Sequence, residues 1–145
     1  MRAGSLAADA PGMMLARGVN RMLAQHGLAA LIEFPTTDGR RMDLCALGPN
    51  GEIWCVEVKS SRADFMSDAK WPDYLPWCDR FFFAVPESFP AEILPPQHGL
   101  IRADQWGAEV LRMAPHAPVA AARRKAVTLR FARMAAERLT RLTDR

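Results

Sequence analysis

The sequence contains no run of the roughly 18–20 apolar residues that a membrane-spanning helix requires. Residues 1–12 also lack the apolar segment of a secretory signal peptide, and we expect them to form a flexible leader. Cysteine is scarce as well. Cys45, Cys55 and Cys78 are isolated, odd in number and without CxxC spacing, which argues against a disulfide framework or a cysteine zinc site. These absences predict a cytoplasmic protein with reduced, buried thiols and no membrane association.

Positive charge is concentrated at the C-terminal end of the chain. Residues 120–145 carry eight basic and two acidic residues, a net charge of +6. Because the whole chain has a formal net charge of +3, residues 1–119 carry −3. A basic tail on a mildly acidic body suits a polyanionic partner such as DNA, although many solvated helices have the same composition.

The order of predicted elements indicates one domain over residues 13–145. Hydrophobic spacing predicts a helix over residues 13–26, and Gly27 would end it. Apolar or alternating runs bounded by turn residues predict six strands, at residues 29–34, 40–47, 53–59, 80–85, 99–103 and 108–112. A capped crossover helix at about 62–70 would make the third and fourth strands parallel, and a long helix is expected over 119–142. The expected fold is α/β, with an αβββαβ core, a mixed central sheet flanked by helices, and a long C-terminal helix.

Three charged residues on adjacent predicted strands form the candidate chemical site. Asp43 lies on the second strand, and Glu57 and Lys59, two residues apart, end the buried third strand and share one face. Burying unpaired carboxylates is costly, and a divalent cation would remove that cost. Mg²⁺ is bound in this way by one or two carboxylates, and a nearby ammonium can offset charge on a phosphate. The alternative is a structural salt bridge, for example between these carboxylates and Lys59 or Arg41.

The same residues carry a resemblance to a known superfamily. Asp43, the tripeptide Glu57-Val58-Lys59 and the αβββαβ order resemble PD-(D/E)XK nucleases, which have a restriction-endonuclease-like core. More narrowly, three segments are similar to the MmcB-related bacterial DNA repair proteins, namely GRRMDLCALGPNGEIWCVEVKSSRADFMSDAKWPDYLPWCDRFFFAVP, EILPPQHGLIRAD and ARRKAVTLRFAR. Met42 stands where the superfamily pattern has proline.

The resemblance implies a metal-dependent nuclease site. It implies that Asp43 and Glu57 bind Mg²⁺ or Mn²⁺, that the Val58 carbonyl is a further ligand, and that Lys59 is the catalytic lysine. Many members of the superfamily also carry an acidic residue on the first helix, which residues 13–26 lack. Glu33, on the first predicted strand, is the available substitute.

Residues after the site are second-tier candidates for DNA contact. Lys70 and Tyr74 could reach the scissile phosphate, as polar residues on the crossover helix do in related nucleases; a solvated helix face is the alternative. The aromatic residues Trp71, Tyr74 and Trp77 either stack on bases or close the edge of the sheet.

The last helix is predicted to be amphipathic. Its apolar positions should dock on the sheet, namely Val127, Phe131, Ala135, Leu139 and Leu142. Arg130, Arg133 and Arg141 lie on the other side, where they would contact the DNA backbone or simply face solvent.

Two functions follow from these patterns. The first is a DNA repair-associated, metal-dependent endonuclease, a phosphodiester hydrolase acting on DNA. The alternative is a catalytically inactive DNA-binding or scaffold protein with the nuclease fold. The sequence leaves open whether the chain forms a homodimer or works with a repair-protein partner.

Overall fold

The computed structural model describes residues 10–144, which form a six-stranded mixed sheet with helices on both faces. The strands lie in chain order, β1 (Ala29–Pro35), β2 (Arg41–Leu47), β3 (Ile53–Val58), β4 (Arg80–Val85), β5 (Gly99–Ala103) and β6 (Ala108–Arg112). The β3–β4 and β4–β5 pairs are parallel, and the other pairs are antiparallel. The helices are α1 (Pro11–Gln25), α2 (Arg62–Met66) and α3 (Ala121–Thr143). The predicted α/β fold, mixed sheet and long C-terminal helix are confirmed.

The alternation of side chains along the strands divides the core between the two faces of the sheet. On β3, Trp54, Val56 and Val58 face the layer that contains α1. Ile53 and Cys55 face the opposite layer, which contains α3 and a 3₁₀ turn at Trp71–Trp77. Every residue of β3 is buried, so this strand reads as an apolar run until its polar end.

Helix α1 begins at Pro11, so the last residues of the range assigned to a leader, 1–12, are helical. Proline suits the first helical position because the missing N–H would have no intrahelical partner there. Residues 1–9 of the predicted leader lie outside the described residues.

The crossover helix is shorter than predicted. The prediction extended it to about residue 70, whereas α2 ends at Met66. Asp68 explains the difference, since its Oδ1 accepts the backbone N–H groups of Lys70 at 2.8 Å and of Trp71 at 3.2 Å. A side chain that takes backbone donors in this way competes with helix formation, and Pro72 also disfavours a continuing helix.

Only the first half of α3 docks as predicted. Val127 and Phe131 are buried, but Leu139 and Leu142 are 60% and 64% exposed. The second half is instead held by Arg138, which donates to the carbonyl oxygens of Ile32 at 2.6 Å and Glu33 at 2.7 Å on β1. The predicted apolar face is therefore wrong for the last turns of the helix.

Asp79 anchors the start of α3 to the sheet. This carboxylate is 1% exposed and accepts the backbone N–H groups of Ile53 at 2.7 Å and Val119 at 2.9 Å. Arg124 binds it through both guanidinium nitrogens, at 2.8 and 2.5 Å, and also donates to the carbonyl of Gly51. The ion pair between Asp79 and Arg124 thus joins β3, the segment before α3 and α3 itself.

Within residues 10–144, no helix has both the length and the apolar character needed to cross a membrane.

Candidate functional site

Asp43 and Glu57 lie where the β2–β3 ladder ends. Paired positions run from Leu47 opposite Ile53 to Leu44 opposite Val56. Beyond that point, the Glu57 carboxylate accepts the backbone N–H of Asp43 at 3.0 Å, and the Asp43 carboxylate accepts the backbone N–H of Val58 at 2.8 Å. Two carboxylates therefore occupy the end of this strand pair, both almost inaccessible to solvent.

Burial dominates the electrostatics of this pair. It raises the pKa of Asp43 to about 7, despite the Val58 N–H and the positive charge of Lys59, and negative charges on Asp64 and Asp68 add to the increase. Burial and the neighbouring Asp43 also raise the pKa of Glu57 well above its usual value. Two ionised carboxylates in this environment repel each other, so a proton or a cation between them stabilises the site.

Lys59 is held beside the carboxylates by an acid on the crossover segment. Its ammonium lies 2.5 Å from Asp68 Oδ2, and its side chain is 8% exposed. Burial alone would lower the pKa of Lys59, but the hydrogen bond and charge of Asp68 outweigh it, and the net pKa is raised. Lys59 therefore stays protonated and positively charged at neutral pH.

The donor set fits a hard divalent cation in its chemistry. Two carboxylates offer the oxygen ligands that Mg²⁺ and Mn²⁺ prefer. Among residues 10–144, no group of three or more His, Cys, Asp or Glu side chains is placed to hold a metal ion. An ion here would rely on Asp43, Glu57, backbone oxygen and water. The side chain of Val58 packs in the α1 layer, so only its backbone could contribute.

Glu33 lies on the neighbouring strand, across from Asp43. Its neighbours Ile32 and Phe34 pair with Leu44 and Met42, and Glu33 has a φ of 55°, a conformation uncommon for residues other than glycine. Its carboxylate is 3.9 Å from the Arg41 guanidinium. The side-chain charges that act most on Asp43 belong instead to Lys59, Asp64 and Asp68. Glu33 as a metal ligand stays a prediction.

The second-tier residues are in different environments. Tyr74 is 6% exposed and its hydroxyl donates to the Arg41 carbonyl at 2.5 Å, which places it in the core. Trp71 stacks on Phe81 with ring centroids 5.6 Å apart, so it closes the sheet rather than facing solvent. Lys70 is exposed, and its backbone N–H donates to Asp68.

Several arginine side chains of α3 are bonded within the fold and are therefore not available to contact DNA. Arg124 and Arg138 bind the fold, as described above, and Arg123 lies 4.8 Å from the ring centroid of Trp77. Arg133 is exposed and lies 3.7 Å from Glu137, Arg141 is exposed, and Arg130 is half-buried.

The bonding partners of two acidic residues in this region, Asp68 and Asp79, cannot be predicted from the sequence. Asp68 falls within the predicted crossover helix at about 62–70, and nothing in its spacing indicates a bond to Lys59. Asp79 precedes a buried strand, but its partners Arg124 and Val119 are 45 and 40 residues away along the chain. Neither partnership follows from local periodicity.

Comparison with known proteins gives a family and a fold. A family described as DNA repair protein MmcB-like matches residues 5–145. Among solved structures, a protein of unknown function from Silicibacter pomeroyi is 54% identical, with 93% of this chain and 92% of that chain covered and a TM-score of 0.91. No curated protein matches the chain.

Proposed function

This chain belongs to the MmcB-like family of DNA repair proteins, and on that premise we propose that it is a metal-dependent DNA endonuclease of the PD-(D/E)XK type, acting in the cytoplasm. The observation that supports this most is the buried pair Asp43 and Glu57 with a protonated lysine beside it. Such a pair is unfavourable without a positive partner, and Lys59 is already bonded to Asp68. The arrangement is what a cation-binding phosphodiesterase site needs.

Each residue has a distinct part in the proposed reaction. The carboxylates of Asp43 and Glu57 would hold Mg²⁺ or Mn²⁺, with the Val58 carbonyl as a further ligand. The bound ion would supply Lewis acidity toward the phosphate oxygens. Lys59 would offset negative charge that builds on the phosphate as water adds and a P–O bond breaks. Asp68 fixes the position of that ammonium and keeps it charged.

A second candidate is a DNA-binding or scaffold protein that has lost hydrolysis. One observation favours it: Asp43, Glu57 and Lys59 are only 6%, 4% and 6% exposed. A phosphodiester would reach them only if the segment that carries α2 and Asp68 moved aside.

A cleavage assay separates the two candidates. Purified protein is incubated with duplex, flapped, single-stranded and branched DNA, with Mg²⁺, with Mn²⁺ and with chelator. The endonuclease predicts cleavage that needs the metal and falls at least about a hundredfold in Asp43→Asn and Glu57→Gln. Glu92→Gln, an exposed carboxylate away from the pair, is the control and should cleave normally. DNA binding without cleavage of any substrate would support the scaffold.

A further inference from the structure

Glu33 has a backbone conformation that a strand residue does not normally adopt. Its φ is 55°, and among residues 10–144 it is the one residue other than glycine with a positive φ. This conformation is unfavourable for a residue with a Cβ, and it persists where surrounding contacts hold it. The contacts around Glu33 therefore indicate what the conformation is for.

The Arg138 guanidinium binds two successive carbonyl groups at this point of β1. It donates through Nη1 to the carbonyl oxygen of Ile32 at 2.6 Å and through Nη2 to that of Glu33 at 2.7 Å. Successive carbonyls of a regular strand point to opposite sides, where one guanidinium could not reach both. The positive φ of Glu33 turns the two oxygens toward the same side, and the planar fork of arginine matches them.

Arg138 is also the residue that attaches the end of α3 to the sheet. Within residues 136–143, every side chain except that of Arg138 is exposed. Met134, one turn earlier, is half-buried and lies with its Sδ 3.3 Å from Nη2 of Arg138. The two bonds to β1 carbonyls are therefore the main attachment of this end of the helix.

The turn of the backbone at Glu33 lies directly across from Asp43. The regular β1–β2 pairing passes over this one position, and the regular β2–β3 pairing ends at the adjacent residue, Leu44. The Asp43 N–H is donated instead to the Glu57 carboxylate at 3.0 Å. Because the backbone of Asp43 lies outside the regular ladder on both sides, its position depends on how β1 turns at Glu33.

We infer that Arg138 is a positioning residue for the carboxylate pair. By holding the turn of β1 at Glu33, it keeps Asp43 where its N–H meets Glu57 and its carboxylate meets the N–H of Val58. The inference rests on the proposed function, because this pair is the proposed Mg²⁺ site. Arg138 acts through the backbone and not as a ligand, in the way that outer residues orient the ligands of metal sites.

The first test measures Mg²⁺ affinity by calorimetry, with the metal alone as the probe. Arg138→Gln should weaken Mg²⁺ binding about tenfold, the lower end of what the loss of an outer partner costs a metal site. Arg138→Lys should weaken it as well, because an ammonium keeps the charge but does not form the fork. If Arg138 acted only through its charge, Arg138→Gln would bind Mg²⁺ more tightly than the parent, and Arg138→Lys would bind it equally well.

The second test measures the position of the pair without any metal. Amide hydrogen exchange followed by NMR reports the opening of the Asp43 and Val58 N–H groups, which the two carboxylates accept. Their rates are divided by that of the Phe82 amide in the buried strand β4, which corrects for a change in global stability. Arg138→Gln should raise both ratios about tenfold.

Two other arginines of α3 provide matched controls. Arg124→Gln removes the second arginine that joins α3 to the fold, through Asp79, and Arg133→Gln removes an exposed charge. Neither side chain bonds to β1, so both variants should keep the Mg²⁺ affinity and the exchange ratios within about twofold of the parent. Loss of an anchor or of a charge is thereby distinguished from loss of the turn at Glu33.

The outcome is separable from that of the proposed function. Unchanged Mg²⁺ affinity and unchanged exchange ratios in Arg138→Gln would overturn the inference and leave Arg138 as an anchor of the helix. If the parent binds no Mg²⁺, the endonuclease proposal fails, and the exchange ratios still decide: a rise at Asp43 and Val58 supports the positioning role, and no rise overturns it. Metal-dependent cleavage by the parent, with unchanged ratios in Arg138→Gln, would support the endonuclease and overturn the positioning role.

Discussion

Asp43 and Glu57 are joined crosswise at the end of the β2–β3 ladder. Glu57 Oε2 accepts the Asp43 N–H at 3.0 Å, and Asp43 Oδ2 accepts the N–H of Val58, the residue after Glu57, at 2.8 Å. Each carboxylate thus takes a backbone donor of the opposite strand, and these two bonds hold the carboxylates at the same end of the strand pair.

The first prediction concerns metal and stability. Mg²⁺ should stabilise the parent by about 2.7 kcal/mol when its concentration is a hundred times the dissociation constant. Asp43→Asn should lose that increment and should be more stable than the parent without metal, because one of two repelling carboxylates is gone. Thermal melting across a Mg²⁺ titration measures both effects. If the melting temperature of the parent does not change across the Mg²⁺ titration, that result would falsify the metal site. The control variant Glu92→Gln should be stabilised by Mg²⁺ as the parent is.

The second prediction concerns the bond between Lys59 and Asp68. Both side chains are largely shielded, at 8% and 18% exposure, so removing one partner leaves a poorly solvated charge. Lys59→Met and Asp68→Asn should each destabilise the protein, and the double variant should lose less than their sum. A double-mutant cycle from urea unfolding should give a coupling free energy of about 1–3 kcal/mol. Strict additivity would mean that the pair contributes nothing.

The third prediction concerns acid stability. Burial alone would raise the pKa of Asp79, but the bonds from Arg124, Ile53 and Val119 outweigh it and lower that pKa to about 2. A carboxyl with a depressed folded-state pKa stabilises the fold above its unfolded pKa of about 4, and this stability disappears as pH falls toward 2. The contribution should be about 2 kcal/mol.

Chemical denaturation at several pH values tests this, with Asp79→Asn as the variant. The variant should be less stable than the parent at neutral pH, and the gap should narrow between about pH 4 and pH 2. Asp73→Asn removes a half-exposed carboxylate and provides the comparison. A gap that stays constant over this range would show that Asp79 acts through packing and not through its charge.

The fourth prediction concerns the three arginines of α3 that the sequence suggests for DNA contact. If Arg130, Arg133 and Arg141 contact phosphates, changing all three to Gln should flatten the slope of log K against log salt by up to about 2.7 on duplex DNA. The matching change to Lys keeps the charges and should keep the slope. Anisotropy titrations at several salt concentrations measure this. Identical slopes for the Gln variant and the parent would make α3 a structural element without a part in DNA binding.

The positions of the strands could be predicted from the sequence because their signal is local. Apolar runs and turn residues place β3 and β4 with almost no error, and the glycine after α1 marks its end. The proximity of Asp43 and Glu57 could also be predicted from the sequence, because a tight turn joins their two strands. Strand parity indicated which residues share a face, and the structure brings the two carboxylates together.

The tertiary structure alone decided how these groups are bonded. Asp68 ends the crossover helix early and binds Lys59, whereas its sequence spacing equally suits a solvated helix face. Arg124 and Arg138 belong to the basic C-terminal segment of the sequence, but the structure shows that they hold α3 to the sheet. The physical reason is that periodicity reports which side of an element a residue occupies. The partner of a charged side chain depends on which elements pack together, and that is set by burial summed over the whole chain.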